Sequence, residues 1–236
     1  MQINGSVALV TGGNRGLGER FVQALLERGA SKVYAAARNP ATITTPGVVP
    51  IALDVTDPAA VRAAADLAPD VTLLVNNAGS STKAGLLDGE LDSFRLEMET
   101  HYFGTLAMSR AFAPALARNG GGAILNVLSV LSWIALPSSA AYSAAKSAAW
   151  SLTNALRLQL AEQKTLVTAL HVGYMETAMA AHVDGPKIDP SVVARAALDG
   201  VEAGRYEVLA DEASTRVKAA LSGDLTALYP KLTGTR

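Results

Sequence analysis

A tyrosine and a lysine four residues apart, Tyr142 and Lys146, are the residues of this sequence best suited to acid–base chemistry. In a helix, residues at this spacing lie on one face, so the two side chains point the same way. A free phenol titrates near ~10, and a nearby positive charge lowers that pKa. The pair alone is a weak signal, because a solvated lysine beside a half-buried tyrosine is common on helices. Together with the motifs below, it makes Tyr142 a candidate proton donor or acceptor.

A glycine-rich turn near the amino terminus is the second chemical motif. The apolar run at 7–10 leads into Thr-Gly-Gly-Asn-Arg-Gly-Leu-Gly at 11–18, and an amphipathic helical pattern follows. Gly12, Gly16 and Gly18 let a backbone turn tightly and approach a pyrophosphate, and a helix start offers free N–H groups and a positive dipole end. Although such glycines could form a turn without a ligand, the flanking strand and helix favour a dinucleotide site.

Two arginines indicate which dinucleotide binds. In dinucleotide folds that bind NAD, an acid near the end of the second strand holds the ribose 2′-OH. Here that place carries Ala37 and Arg38, and the first turn carries Arg15. Two guanidinium groups would bind a 2′-phosphate, which a carboxylate would repel. We therefore predict NADP(H) in preference to NAD(H). The alternative is that Arg38 is merely solvated at a strand end.

The elements that must position these residues alternate between strands and helices. Short apolar runs predict strands at 7–10, 32–37, 48–53, 71–75, 123–128, 165–170 and 206–209. Helical patterns separate them, including one or two helices over 86–118. This alternation predicts an α/β fold, a Rossmann-type doubly wound parallel sheet of about seven strands with helices on both faces. We expect one domain over 1–236, with a lid-like segment at about 173–190. Ser129 should lie at the carboxyl end of the fifth strand, where ligands bind in such sheets.

Bulk properties argue against several classes of partner. The formal net charge is −1, with 20 basic and 21 acidic residues, and no basic patch stands out, so nucleic acid and anionic membranes are poor candidates. There are no cysteines, and His101, His171 and His182 show no ligand spacing, so we expect no metal. The amino terminus lacks a signal-peptide pattern, and no run of ~18 apolar residues suits a membrane span. We expect a cytoplasmic protein that acts on a small molecule.

Several motifs agree in order and spacing with those of one family. They are the glycine turn at 11–18, Asp54, Asn-Asn-Ala-Gly at 76–79, Ser129 and Tyr-Ser-Ala-Ala-Lys at 142–146. On these motifs the chain resembles the short-chain dehydrogenases/reductases over essentially its whole length. Each motif is modest alone, but together in this order they are highly specific.

The resemblance implies hydride transfer between a nicotinamide cofactor and a carbonyl or carbinol carbon. By analogy Tyr142 is the general acid in reduction and the base in reverse, Ser129 bonds the substrate oxygen, and Lys146 binds the nicotinamide ribose and lowers the phenol's pKa. Asp54 would meet the adenine, and Thr177 the nicotinamide amide. The family pattern assigns cofactor contacts to Gly12, Asn14, Arg15, Gly16, Leu17, Gly18, Arg38, Asp54, Val55, Asn77, Ala78, Gly79, Tyr142, Lys146, Gly173 and Thr177. The arginine pattern resembles that of NADPH-dependent carbonyl reductases.

Two positions depart from the family pattern. His101, in His-Tyr-Phe-Gly at 101–104, replaces the catalytic Asn of an Asn-x-x-Gly stretch. In the family that Asn holds a helix distortion whose freed carbonyl binds a water leading to the lysine. A titratable imidazole could keep this relay, make it pH-sensitive or impair it, and we favour a tolerated substitution. The second departure is His-Val-Gly at 171–173 in place of Pro-Gly, which would leave the lid hinge and Thr177 less fixed.

The loops around the candidate site are mostly apolar. Their predicted pocket walls are Trp133, Leu136, Tyr174, Met175 and Met179. We therefore expect a neutral, hydrophobic ketone, aldehyde or secondary alcohol rather than an acidic metabolite. Two other interpretations stay open. One is an imine reductase on the same scaffold, in which His101 helps to supply protons, and the other is a cofactor-binding regulatory protein with little catalysis.

The helix that carries Tyr142 also bears on subunit assembly. Its small, apolar face, with Ala145, Ala148 and Ala149, suits either packing inside the monomer or a subunit interface. The family often pairs subunits through the helices around the fifth strand. By that analogy we expect a homodimer or homotetramer.

Overall fold

A parallel sheet of seven strands forms the centre of the molecule. The computed structural model describes residues 1–234. The strands are β1 (Val7–Thr11), β2 (Lys32–Ala37), β3 (Val49–Ala52), β4 (Leu73–Asn76), β5 (Ala123–Val127), β6 (Leu166–His171) and β7 (Glu207–Leu209). Their order is β3-β2-β1-β4-β5-β6-β7, and each neighbouring pair is parallel. The predicted Rossmann-type doubly wound sheet is confirmed.

Both faces of the sheet are buried, which explains the apolar runs in the sequence. Successive residues of a strand point to opposite faces. In β1, Ala8 and Val10 pack into one core and Leu9 into the other. In β5, Leu125 and Ile124 separate in the same way. A strand that is buried on both sides therefore has no polar alternation to show.

Two layers of helices cover these faces. The helices are α1 (Gly16–Glu27), α2 (Pro58–Leu67), α3 (Leu91–Met98), α4 (Gly104–Arg118), α5 (Ala140–Gln159), α6 (Pro190–Glu202), α7 (Glu212–Ala220) and α8 (Leu225–Leu228). On one face α1 and α6 contribute side chains such as Phe21 and Leu198. On the other, α2, α4 and α5 contribute Val61, Phe112 and Leu152. Among residues 1–234, no helix is long and apolar enough to cross a membrane.

The alanine-rich face of α5 packs inside the monomer. Ala145 and Ala149 are buried by other parts of the same chain, and Ala148 is half-buried. Of the two readings left open by the sequence, the structure therefore supports internal packing for Ala145 and Ala149.

The predicted helical region at 86–118 is interrupted at the position of His101. Helix α3 ends at Met98, a π-helical turn covers Glu99–Phe103, and α4 begins at Gly104. The Gly104 N–H donates to the Glu99 carbonyl, five residues earlier, which is the bond of the wider π turn. This turn carries His101 and buries its imidazole.

The strand order places the site. Strands β2 and β3 lie on one side of β1, and β4 to β7 lie on the other. The order in which successive strands are added across the sheet therefore reverses between β1 and β4. Ligands bind outside the carboxyl ends of strands at such a switch point. Those ends carry Thr11 and Asn76 here, which brings the glycine turn and the Asn-Asn-Ala-Gly segment together.

Candidate active site

The glycine turn and the segment after β4 are locked together by hydrogen bonds. Thr11 Oγ1 accepts from the backbone N–H groups of Asn77 and Ala78, both at 2.9 Å. Asn77 Nδ2 donates back to the carbonyl oxygens of Thr11 and Gly12, at 2.8 and 3.3 Å. A Cβ on Gly18 would lie 2.0 Å from the Gly12 carbonyl oxygen, so this approach of two backbones requires glycine.

The start of α1 presents backbone N–H groups beside this turn. Arg15 is the cap residue of α1, and its side chain makes no capping hydrogen bond, so the cap satisfies none of the first backbone N–H groups. Gly16 follows with a φ of +55°, and a Cβ there would lie 3.6 Å from Thr177 Cγ2. Unsatisfied N–H groups and the positive end of the helix dipole fit the pyrophosphate of a dinucleotide. Thr177 thus lies across the turn, although its contact with a nicotinamide stays a prediction.

Two exposed guanidinium groups lie near the ends of β1 and β2. Within the described part of the chain, neither the Arg15 nor the Arg38 side chain has a hydrogen bond or ion pair. Asn14 Nδ2 donates to Thr42 Oγ1 at 3.0 Å, and Thr42 Oγ1 donates to the Asn39 carbonyl at 2.7 Å. These bonds join the glycine turn to the loop after β2. Both arginines are consequently available to an anionic ligand.

Other predicted cofactor residues lie along the same edge. Asp54 follows β3, and its Oδ1 accepts from the N–H and the hydroxyl of Thr56, at 2.9 and 2.7 Å. Val55 is buried against Gly104, where a Cβ would lie 2.9 Å from Val55 Cγ2. The Leu17 side chain packs into the core below α1, so only its backbone is placed to meet a ligand.

Ser129 follows β5 and is nearly buried. Its N–H donates to Ser132 Oγ at 3.3 Å, and its Oγ accepts from the Leu131 N–H at 3.1 Å. The two bonds form a capping box that begins a short 3-10 helix at Val130–Ser132. The Ser129 Oγ also lies 3.4 Å from the Val172 carbonyl, so the end of β6 helps to orient the hydroxyl.

His171, at the end of β6, supports Ser129 from within the protein. Its Nδ1 lies 3.1 Å from the Ser129 carbonyl, which can only accept, so this nitrogen carries a proton. Burial lowers the pKa of His171 to about 4, which keeps the ring neutral. Its ring stacks on Trp133 with centroids 3.8 Å apart, and Lys218 Nζ lies 4.9 Å from the Trp133 ring centre. Trp133 therefore packs on His171, and its role as a pocket wall stays a prediction.

Helix α5 brings Tyr142 close enough to Ser129 for the serine hydroxyl to act on the pKa of the phenol. Burial raises the pKa of Tyr142, the charge of Glu97 and the phenol of Tyr174 raise it further, and the Ser129 hydroxyl lowers it in part. The sequence-based expectation of a lowered phenol pKa is wrong for the chain alone, because burial raises this pKa more than the Ser129 hydroxyl lowers it.

Lys146 lies beneath the phenol and is 5% exposed. Its Nζ is 5.5 Å from the centre of the Tyr142 ring and donates to the Val127 carbonyl at 2.8 Å. Burial lowers the pKa of Lys146 to about 8, although the charge of Glu97 partly opposes this shift. The lysine is therefore poised to change protonation close to neutral pH.

His101 faces Tyr142 from the π-helical turn. The two rings meet edge to face with centroids 5.1 Å apart. His101 Nε2 lies 3.0 Å from the Ser80 carbonyl and 3.1 Å from Glu97 Oε2. Burial lowers the pKa of His101 and the charge of Lys146 lowers it further, so the imidazole is neutral.

Glu97 is a site residue that our reading of the sequence missed. Its side chain is fully buried, Oε2 accepts from Ser80 Oγ at 2.9 Å, and Oε1 accepts from the Thr82 N–H. Burial raises the pKa of Glu97, but hydrogen bonds from His101, Thr82 and Ser80 more than reverse this, so the pKa lies below its ordinary value. The spacing of four residues between Glu97 and His101 is the signal that could have revealed the pair.

The lid-like segment at 173–190 is attached by side chains rather than by a proline. The Gly173 N–H donates to Asp211 Oδ2, and Asp211 Oδ1 also caps α7 through the Ser214 N–H at 2.7 Å. The expected loosening of the hinge is thus offset by Asp211. Within the segment, Met175 forms a β-bridge with Ile188. A surface depression is lined by Glu176, Thr177, Ala178, Ala181, Gly185 and Lys187.

The predicted substrate walls occupy different environments. Tyr174 and Met179 are 44% and 45% exposed, and Leu136 is half-buried. Met175 packs against the core that α1 and α6 cover. Tyr174 is close enough to act on the pKa of Tyr142, so the structure brings this wall residue to the phenol.

Comparison with known proteins identifies the family. The family profile described as short chain dehydrogenase matches residues 6–187, so the chain belongs to this family of oxidoreductases. A short chain dehydrogenase from Burkholderia cenocepacia, solved in complex with NADP, has a TM-score of 0.94, 44% identity and 99% of both chains covered. A 3-ketoacyl-(acyl-carrier-protein) reductase from Brucella melitensis complexed with NADH has a TM-score of 0.82 and 28% identity, over 88% of this chain and 97% of that one.

Two relatives of known family membership are more distant and longer. Dehydrogenase/reductase SDR family member 7B from Bos taurus is 30% identical over 207 residues, which cover 78% of this chain and 63% of the relative. A dehydrogenase/reductase SDR family protein 7-like from Anopheles gambiae is 30% identical over 194 residues, which cover 75% of this chain and 61% of the relative. The chain thus spans about three fifths of the length of these relatives. The predicted family is confirmed, and its structures include complexes with both NADP and NADH.

Proposed function

We propose that this protein transfers a hydride between NADP(H) and a neutral, hydrophobic ketone, aldehyde or secondary alcohol. The observation that carries the proposal is the convergence of Ser129, Tyr142 and Lys146 beside a turn that fits a pyrophosphate. The nicotinamide supplies or accepts the hydride. The chain supplies the binding surface, the orientation of the substrate oxygen and the proton.

Tyr142 is the proton donor of the reduction. Its raised pKa keeps the phenol protonated at neutral pH, which is the form that a general acid needs. The Ser129 hydroxyl acts on the pKa of the phenol and would hold the substrate oxygen beside it. Lys146 contributes a positive charge below its pKa of about 8, which stabilises the phenolate left after proton transfer.

The preference for NADP(H) rests on the two unpaired arginines. Arg15 and Arg38 present planar guanidinium groups that suit a phosphate, and the loops that bear them are joined by the bond from Asn14 to Thr42. The complex of a 44% identical short chain dehydrogenase with NADP supports the same preference. The apolar character of the predicted wall residues supports a neutral substrate.

The loss of NADPH absorbance with a panel of hydrophobic aldehydes, ketones and cyclic imines tests this proposal. We expect turnover on ketones or aldehydes that falls at least ~100-fold in Tyr142→Phe, because a general acid contributes roughly 10²–10⁴ in rate. Tyr206→Phe is the matched control, since Tyr206 is exposed on the far side of β7 and should leave turnover unchanged. Turnover confined to cyclic imines would show that the substrates are imines and not carbonyl compounds. NADPH binding without any turnover would overturn the enzymatic proposal.

A further inference from the structure

We propose that Glu97 and His101 form a buried carboxylate–imidazole couple that acts as a proton relay for Tyr142 and Lys146. In this couple Glu97 holds the proton of His101 on Nε2, and His101 Nδ1 is the atom that gains and loses a proton. The inference rests on the proposed reductase function and adds two relay residues to it. The role of Glu97 is inferred from its contacts in the structure and from no sequence motif.

The surroundings of the ring assign its tautomer. Two acceptors, the Ser80 carbonyl and Glu97 Oε2, lie 3.0 and 3.1 Å from His101 Nε2, nearer than the Ser80 N–H at 3.4 Å. The proton of the neutral ring therefore lies on Nε2. Nδ1 is left as an acceptor and has no partner among residues 1–234. A Cβ on Gly79 would lie 2.9 Å from His101 Cε1, so glycine there makes room for the imidazole.

The charge of Glu97 reaches the proton donors of the site. Its electrostatic effect raises the pKa of both Tyr142 and Lys146, as well as that of His101. The bonds that Glu97 accepts from Ser80, Thr82 and His101 favour its ionised form. The carboxylate thus adds one negative charge to a site that also holds the Lys146 ammonium.

His101 and Lys146 compete for one proton. The ionisable groups that face the imidazole are Glu97 from its own helical segment and Tyr142 and Lys146 from α5, and Tyr174 faces Tyr142 from the lid-like segment. The charge on Lys146 disfavours an imidazolium, and loss of that charge favours it. A proton that leaves the lysine thus finds an acceptor whose charged form Glu97 stabilises.

The relay can be written so that protons balance. In reduction the O–H bond of Tyr142 breaks as its proton goes to the substrate oxygen, and the Lys146 ammonium returns a proton to the phenolate. His101, protonated on Nδ1 by solvent, then returns a proton to the lysine amine through intervening water. One solvent proton is consumed in each turnover, and Glu97 stays ionised throughout.

Nuclear magnetic resonance of ¹⁵N-histidine-labelled protein tests the couple without relying on turnover. The chain has three histidines, so three variants that each replace one of them assign the signals. We expect a neutral His101 with its proton on Nε2 at pH 7, and a His171 with its proton on Nδ1. Lys146→Met should raise the pH at which His101 titrates, and the isosteric Glu97→Gln should lower it. A proton on Nδ1 of His101, or a titration that neither variant changes, would overturn the proposal.

Steady-state kinetics test the relay itself. Glu97→Gln should lower kcat about 10-fold, shift the pH profile of kcat and leave the KM for NADPH unchanged, since a general acid–base relay is worth roughly this or more. His101→Asn supplies the amide of the family, so adding Glu97→Gln to it should have little further effect. Ser80→Ala is the control for a structural role. It removes one bond to Glu97 but keeps the charge, so thermal stability should fall while the pH profile stays the same.

The outcomes separate this inference from the proposed function. If Tyr142→Phe abolishes turnover while Glu97→Gln matches the wild type at every pH, the function stands and the relay is wrong. If no carbonyl substrate is turned over but the histidine spectra behave as expected, the couple stands and the proposed substrate class is wrong. Equal loss of stability and activity in Glu97→Gln and Ser80→Ala, with an unchanged pH profile, would reduce Glu97 to a structural residue.

Discussion

Lys146 is a basic side chain placed where its surroundings disfavour its charge. Burial lowers its pKa from 10.5 to about 8, which corresponds to a penalty on the order of 3 kcal/mol for the protonated form. The hydrogen bond to the Val127 carbonyl returns roughly 1 kcal/mol. We expect Lys146→Met to abolish turnover and yet to stabilise the protein by about 2 kcal/mol at pH 7.

The direction of the Lys146 pKa shift determines how the stability gain of Lys146→Met depends on pH. The folded-state pKa lies below the unfolded value, so the penalty is complete below pH 8, shrinks as the lysine of the folded protein deprotonates, and vanishes above pH 10.5. The advantage of Lys146→Met, measured by urea unfolding, should therefore decrease between pH 8 and pH 10.5. An advantage that stays constant with pH would show that packing and not charge explains it.

The sequence was sufficient to predict the residues that carry out the chemistry, but it was not sufficient to predict their pKa shifts. The spacing of Ser129, Tyr142 and Lys146 was sufficient to propose them, because the motif fixes their places on one strand end and one helix. The pKa of Tyr142 was misjudged because burial, which sequence spacing does not report, raises it. Glu97 was missed because an acidic residue four places before a histidine on a helix is ordinarily a solvated pair.

Among the elements, the glycine turn was predicted in full, whereas the region 86–118 was left open as one or two helices, and its distortion at residue 101 followed only from the family resemblance. The turn is encoded locally, because strand, glycines and helix follow one another directly in the chain. The π-helical turn at Glu99–Phe103 arises from tertiary contacts, since the imidazole of His101 must reach Glu97 and the Ser80 carbonyl in the interior. No local pattern in this stretch distinguishes a π turn from a continuous helix.

The glycine turn gives the prediction that belongs to the scale of elements. In Gly18→Ala the new Cβ would overlap the Gly12 carbonyl oxygen, so the turn must open and α1 must shift. We expect NADPH affinity to fall on the order of 100-fold, about 3 kcal/mol, as measured by fluorescence titration. Gly223→Ala is the matched control, because its nearest atom would lie at 3.3 Å and Gly223 is far along the chain from the turn. An unchanged affinity would mean that the turn is not the pyrophosphate site.

At the scale of the whole molecule, the fold explains why sites from distant parts of the chain meet. The reversal of strand order between β1 and β4 leaves a cleft at the carboxyl edge of the sheet. The residues that follow β1, β3, β4, β5 and β6 all lie at this edge. The doubly wound parallel sheet followed from the alternation of strands and helices with the usual handedness of their connections. The path of the lid-like segment did not, because its hinge depends on Asp211, a residue far along the chain.

Binding of the cofactor should therefore stabilise the whole molecule, and the two arginines should decide which cofactor does so more strongly. A ligand at 100 times its Kd adds roughly 2.7 kcal/mol, which for a chain of this length raises Tm by about 5–10 °C. At equal concentration we expect a larger shift with NADPH than with NADH. Arg38→Ala should reduce the NADPH shift toward the NADH value and leave the NADH shift unchanged, because it removes a partner of the 2′-phosphate only. Arg62→Ala, an exposed residue of α2, should change neither shift. Equal shifts for the two cofactors in the wild-type protein would show that Arg15 and Arg38 do not select the phosphate.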